Sequence, residues 1–109
     1  MRVDKIAEQG ELLVRRVEAV PDGAQRVEPQ GGRYVVGHSD TGHHHTIAAD
    51  GCVMHELSPL LCYLVLDRGL SIEHQRAFDT HEPLDLGGGI WEVRRQREWT
   101  PEGERRAVD

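Results

Sequence analysis

The sequence predicts a mostly β protein, a small antiparallel barrel or sandwich with little helix, and three observations carry that expectation. Short runs rich in Val, Ile, Leu and Tyr recur along the chain. Turn signals punctuate them at roughly the spacing of small all-β folds, about every eight to twelve residues. No stretch long enough for a globular helix sustains a 3.6-residue apolar period.

Taken in order, residues 2–9 hold at most one or two helical turns, and Leu12 to Val20 reads as the first strand. Pro21-Asp22-Gly23 and Gln30-Gly31-Gly32 are turns, with a strand from Arg33 to Gly37 behind them. Ile47-Ala48-Ala49, Asp50-Gly51 and Cys52-Val53-Met54 read as a β-hairpin, because Asp-Gly suits the positive φ angles of a type I′ turn. Leu61 to Leu66 and Leu70 to His74 follow, split by Asp67-Arg68-Gly69. A short strand from Leu84 to Leu86 and a long one from Ile90 to Trp99 flank Gly87-Gly88-Gly89. These glycines permit a tight positive-φ turn, and with no Lys-Ser/Thr after them a phosphate cradle is disfavoured. Thr100-Pro101-Glu102 is a fair helix start, weakened by Gly103. The expected organisation is one domain over 1–109, with 1–9 and 101–109 at its periphery.

Composition narrows the function. Of 109 residues, 38% are hydrophobic and 29% charged, which suits a folded chain. With so few aromatic residues the core must rest on Leu, Val and Ile, and a core that thin favours a homo-oligomer. The net charge of −6 repels polyanions, so nucleic acid is a disfavoured partner. No apolar window is long enough to span a membrane, and the N-terminal stretch lacks an apolar signal core, which points to the cytoplasm. In that compartment Cys52 and Cys62 are expected to be small buried residues rather than a bridge.

The chemically unusual feature is histidine. His38, His43, His44, His45 and His55 fall in and beside the expected hairpin, and His74 and His81 follow later. The hairpin register sets His45 opposite Glu56 and places His43, His45 and Glu56 on one face, His44 and His55 on the other. Two imidazoles on one face of a strand can hold one ion. The expected metal set is therefore His43 and His45, completed by Glu56, His74 or His81, with His44 and His55 as the opposite-face alternative. Nitrogen and oxygen donors admit a divalent transition metal, zinc first, with iron, manganese or nickel compatible. A metal-bound water could then hydrolyse a phosphodiester or similar bond. Three other readings stay open: a solvated polar strand, a metal-free general base oriented by Asp40, Glu56 or Asp79, and a pH-sensing surface. On the last strand, Arg94, Arg95, Arg97 and Trp99 could hold nucleic acid, although arginine stems packed over rings are the commoner use of such residues.

Three stretches carry a resemblance. They are Gly10-Glu11-Leu12-Leu13-Val14-Arg15-Arg16-Val17, Thr41-Gly42-His43-His44-His45, and the run from His81-Glu82-Pro83-Leu84 through Arg94-Arg95-Gln96-Arg97-Glu98-Trp99-Thr100-Pro101-Glu102. Together they resemble a family of small, functionally uncharacterised bacterial and phage proteins, which implies no particular activity. A phage-derived, non-catalytic homo-oligomeric module is accordingly the alternative to metal binding. His43-x-His45 also resembles the first element of the cupin metal motif, but Ala49 and Asp50 stand where its glutamate belongs, and His81 precedes rather than follows the proline and glycines. The cupin likeness is thus one of barrel shape.

Overall fold

The computed structural model describes residues 1–38, 44–74 and 82–95, which form eleven strands and, among those residues, no helix. In chain order they are β1 (Arg2–Val3), β2 (Ile6–Gln9), β3 (Leu12–Val17), β4 (Gln25–Val27), β5 (Arg33–Gly37), β6 (His45–Ala48), β7 (Cys52–Ser58), β8 (Leu61–Leu66), β9 (Leu70–His74), β10 (Leu84–Leu86) and β11 (Gly89–Arg95). Two sheets result, one ordered β1-β10-β9-β6-β5 and the other β2-β3-β11-β8-β7-β4. All pairings are antiparallel except β1 with β10. The architecture is a sandwich of two open sheets rather than a closed barrel, so the cupin analogy of shape does not hold.

Alternation explains which face each strand buries. Leu12 and Val14 on β3, Met54 on β7, Cys62, Leu64 and Leu66 on β8, and Trp91 and Val93 on β11 point inward from the larger sheet. Tyr34, Val36, Ile47, Ile72, Leu84 and Leu86 answer from the smaller one. Aliphatic side chains dominate, as the composition requires, with the indole of Trp91 as the largest buried group.

The expected β6–β7 hairpin does not form. Asp50-Gly51 does make a tight turn, with Gly51 at φ 91° and the Cys52 N–H donating to the Ala49 carbonyl, but its strands go to different sheets. β7 pairs with β8 through Cys52↔Leu66, Val53↔Val65 and Met54↔Leu64, while β6 pairs with β5 and β9. Turn chemistry decides that the chain reverses, not whether the two arms bond side by side or face each other across a core. Here Ile47 and Met54 each have a core-facing position on opposite sheets, and both are buried. Asp67-Arg68-Gly69 and Gly87-Gly88 are switches between sheets as well. The corners meet at one end of the sandwich, where the Asp67 N–H donates to the Gly51 carbonyl and Arg68 to that of Asp50.

Residues 2–9, expected as helical turns, are edge strands: β1 lies along β10 and β2 along β3. They are at the sheet margins, yet Val3 and Gln9 are buried. The first long strand stops at Val17, short of Val20, and the positive-φ glycine of the triple is Gly89, at 132°. The expected helix start at Thr100 and the end of the last strand beyond Arg95 lie outside the described residues.

On the outer face of the larger sheet, Glu92 is buried beneath its partners. Arg15 Nε donates to its carboxylate at 2.8 Å and the Tyr63 hydroxyl at 2.9 Å, with Arg94 at 3.7 Å. Burial alone would raise the Glu92 carboxyl, but the hydrogen bonds from Arg15 and Tyr63 and the charges of Arg15 and Arg94 outweigh it and hold it below the ordinary range. A carboxyl lowered on folding contributes stability that is present above its unfolded pKa of about 4.3 and is lost as pH falls through the folded value. Glu92→Gln is therefore expected to cost about 1–3 kcal/mol at pH 7, and that cost should shrink as the pH is taken to about 3. Urea denaturation at both pH values checks this; a deficit that stays constant or grows in acid would refute it.

Candidate functional site

Opposite the corners, the sandwich ends in histidines. β5 finishes at Gly37 with His38 beyond it, β6 starts at His45, β9 finishes at His74, and β11 finishes at Arg95. His45 and His74 are direct partners across β6 and β9, and both occupy the inward register shared by Ile47 and Ile72. Their rings stack with centroids 4.3 Å apart and planes 14° from parallel. His45 is buried, and His74 is half-buried.

Small residues make room for the inner ring. A Cβ on Gly10 would stand 3.0 Å from His45 Cε1 and 3.2 Å from Nε2, and Gly10 has φ +57°, where a side chain is strained in any case. A Cβ on Gly37 would stand 3.2 Å from His45 Cδ2 and 2.7 Å from Leu12 Cδ2. The register shift between Val35 and Gly37 brings Gly37 opposite His45. Gln9, at the end of β2, completes the wall: its Oε1 lies 2.8 Å from His45 Nδ1, and its Nε2 donates to the carbonyl oxygens of Ile72 (3.1 Å) and Glu82 (2.9 Å).

Of the residues expected to form a metal set, the structure brings His45 and His74 together. His43 and His81 lie outside the described residues. Glu56 is not opposite His45, because β6 and β7 belong to different sheets; it accepts from Arg95 Nη1 at 2.8 Å. The alternative pair does not meet either. His55 sits on β7 between Arg26 and Tyr63, and the His44 ring meets His38 edge-on at 4.9 Å. Among the described residues, His44 Nδ1 is buried without a hydrogen-bond partner, and no group of three or more His, Cys, Asp or Glu is placed to hold a metal ion. Burial, together with the charges of His44 and Arg95, holds His38 below the usual imidazole range.

Arg95, half-buried, donates to the Val36 and Pro59 carbonyls as well as to Glu56, and its Nη2 lies 3.8 Å from Cys62 Sγ. Arg97 and Trp99 lie outside the described residues. Cys52 and Cys62 are free and buried, and burial pushes their thiols up to about 12 and about 11, so neither supplies a thiolate near neutrality. Gln9 is not among the residues the sequence singles out. Its only sequence signal is an inward register shared with Ala7 on a strand whose alternate residues, Ile6 and Glu8, face out.

Fold and site define an all-β sandwich with a histidine pair packed into one open end. The chain belongs to the DUF8820 family, a domain of unknown function, whose family model matches residues 8–96 and so takes in Gln9 and every described histidine. Neither the curated proteins nor the solved structures contain a match. Among the described residues, no helix is long and apolar enough to cross a membrane.

Proposed function

We propose that this end of the sandwich binds one divalent transition metal, zinc first, with His45 and His74 as ligands and His43 and His81 as completing candidates from the adjoining segments. The observation that supports it most is the His45–His74 pair, two imidazoles on neighbouring strands with centroids 4.3 Å apart. Parallel rings send their in-plane lone pairs side by side rather than to one point. Coordination of a single ion therefore requires one ring to turn. His74, half-buried, turns more readily than His45, which is wedged against Gly10 and Gly37. Iron, manganese or nickel suit the same donors. With a coordination position left to water, the reaction class is hydrolysis of a phosphodiester or similar bond. The proposed compartment is the cytoplasm, in keeping with the two unbridged thiols. The test is elemental analysis of untagged protein followed by zinc titration in a calorimeter. Neither retained metal nor binding tighter than about 1 mM would end this reading.

One observation favours a second reading, a non-catalytic, phage-derived homo-oligomeric module. Val17, Ile90, Val65 and Val53 align in register as an apolar row across β3, β11, β8 and β7, half-buried on the outer face of the larger sheet. That reading expects a stable oligomer without metal, dissociated by Ile90→Lys. Light scattering showing a monomer at high concentration would remove it.

A further inference from the structure

We infer that Gln9 is the positioning residue of the histidine site, selecting Nε2 of His45 as its ligand nitrogen and tying β6 to β9 and to the backbone of Glu82. This inference rests on the metal reading for its consequence, but not for its geometry.

A glutamine side chain can be placed two ways, differing in which end holds oxygen, and the surroundings decide between them. One end of the Gln9 amide faces two carbonyl oxygens, those of Ile72 and Glu82, at 3.1 and 2.9 Å. Only an NH₂ group can satisfy two acceptors, so that end is Nε2. The other end is then Oε1, an acceptor, 2.8 Å from His45 Nδ1. The imidazole must meet it with a proton, and in the neutral ring Nδ1 is the donor while Nε2 keeps its lone pair. Gln9 is 2% exposed, so little water competes for these bonds. A buried hydrogen-bond acceptor on one ring nitrogen, orienting the other, is what second partners of metal-bound histidines supply.

The same amide also holds backbone carbonyls of β9 and of Glu82. Ile72 is two residues before His74 on β9, and Glu82 directly follows His81. One side chain from β2 thereby links β6, β9 and the start of the segment leading into β10. Its place beside Gly10 matters too, since the positive φ there turns the chain directly after Gln9 while the bare Cα accepts the imidazole edge.

The experiment uses ¹⁵N-histidine-labelled full-length protein, metal-free, at a pH where His45 is neutral. The nitrogen shifts and two-bond proton couplings of the His45 ring report which nitrogen carries the proton. The expected wild-type result is the Nδ1–H form, opposite to the preference of free histidine. In Gln9→Leu the Nδ1–H form should give way to the Nε2–H form, and zinc affinity should fall about 10–100-fold. In Gln9→Glu the donations to the Ile72 and Glu82 carbonyls are lost but an acceptor still faces the ring, so Nδ1 should stay protonated. If Gln9→Leu does not fold, the wild type and Gln9→Glu still decide the matter. An Nε2–H ring in the wild type overturns the inference, and so does a Gln9→Leu protein with unchanged tautomer and unchanged zinc affinity. A wild-type Nδ1–H ring in a protein that binds no zinc would remove the metal reading alone and leave the assignment of Gln9 standing.

Discussion

On the metal reading proposed above, His45→Ala is expected to leave untagged protein with less than about a tenth of an ion per chain, where the wild type should retain about one. The loss follows from position. His45 is the imidazole that the fold holds from three sides, by Gln9 at Nδ1, by Gly10 and Gly37 along its edge, and by the His74 ring on its face. Changes to outer partners of a metal ligand cost about 10–100-fold in affinity, so removing the ligand itself should cost more than about 100-fold. His74→Ala should lose affinity by a similar factor. His55→Ala is the internal control, since His55 lies on β7, paired between Arg26 and Tyr63 in the other sheet. Inductively coupled plasma spectrometry and calorimetry read all three. Equal metal in wild type, His45→Ala and His74→Ala would place any ion elsewhere.

The largest effect on stability is expected from Trp91→Ala, at about 3–5 kcal/mol. Trp91 is fully buried on β11, the strand paired on one side with β3 and on the other with β8. Its indole N–H donates to the Gly87 carbonyl at 2.9 Å, and the Arg16 guanidinium covers the ring at 4.4 Å. Alanine opens a cavity at the middle of the larger sheet and orphans a backbone carbonyl at the sheet-switching corner. A domain of this size has about 5–15 kcal/mol in total, so the variant should be marginal, with a Tm lower by at least about 12 °C. Trp91→Phe keeps an aromatic filler and should cost less. Thermal and urea denaturation check both, and a deficit for alanine below about 1 kcal/mol would contradict this description of the core.

The strands from Arg33 to Gly37, Leu61 to Leu66, Leu70 to His74 and Leu84 to Leu86 were legible because each is a β-branched or leucine-rich run bounded by turn residues. The N-terminal strands were not, since Asp4 and Lys5 interrupt two very short segments that gain their hydrogen bonds only from β10 and β3. The histidine site was legible in part. The inward positions of His45 and His74 follow from strand alternation, but their meeting depends on β9 lying beside β6, a pairing between residues far apart in the chain. For Gln9 the local pattern offers only the alternation it shares with Ala7, which is too short a run to mark a lone glutamine as buried.

By itself, then, the sequence determined the class: alternation and turn chemistry demand strands, and the aliphatic composition demands a core built mainly of Leu, Val and Ile. It also singled out the candidate nitrogen donors, since a neutral imidazole keeps a lone pair near neutral pH and seven histidines are present. Tertiary structure decided which of them meet. Asp50-Gly51 reverses the chain whichever partner each arm takes, and the pairing of β7 with β8, in the sheet opposite β6, sets Glu56 away from His45. Partner choice is a competition among distant strands for the same backbone donors and acceptors, and no local residue pattern records its outcome.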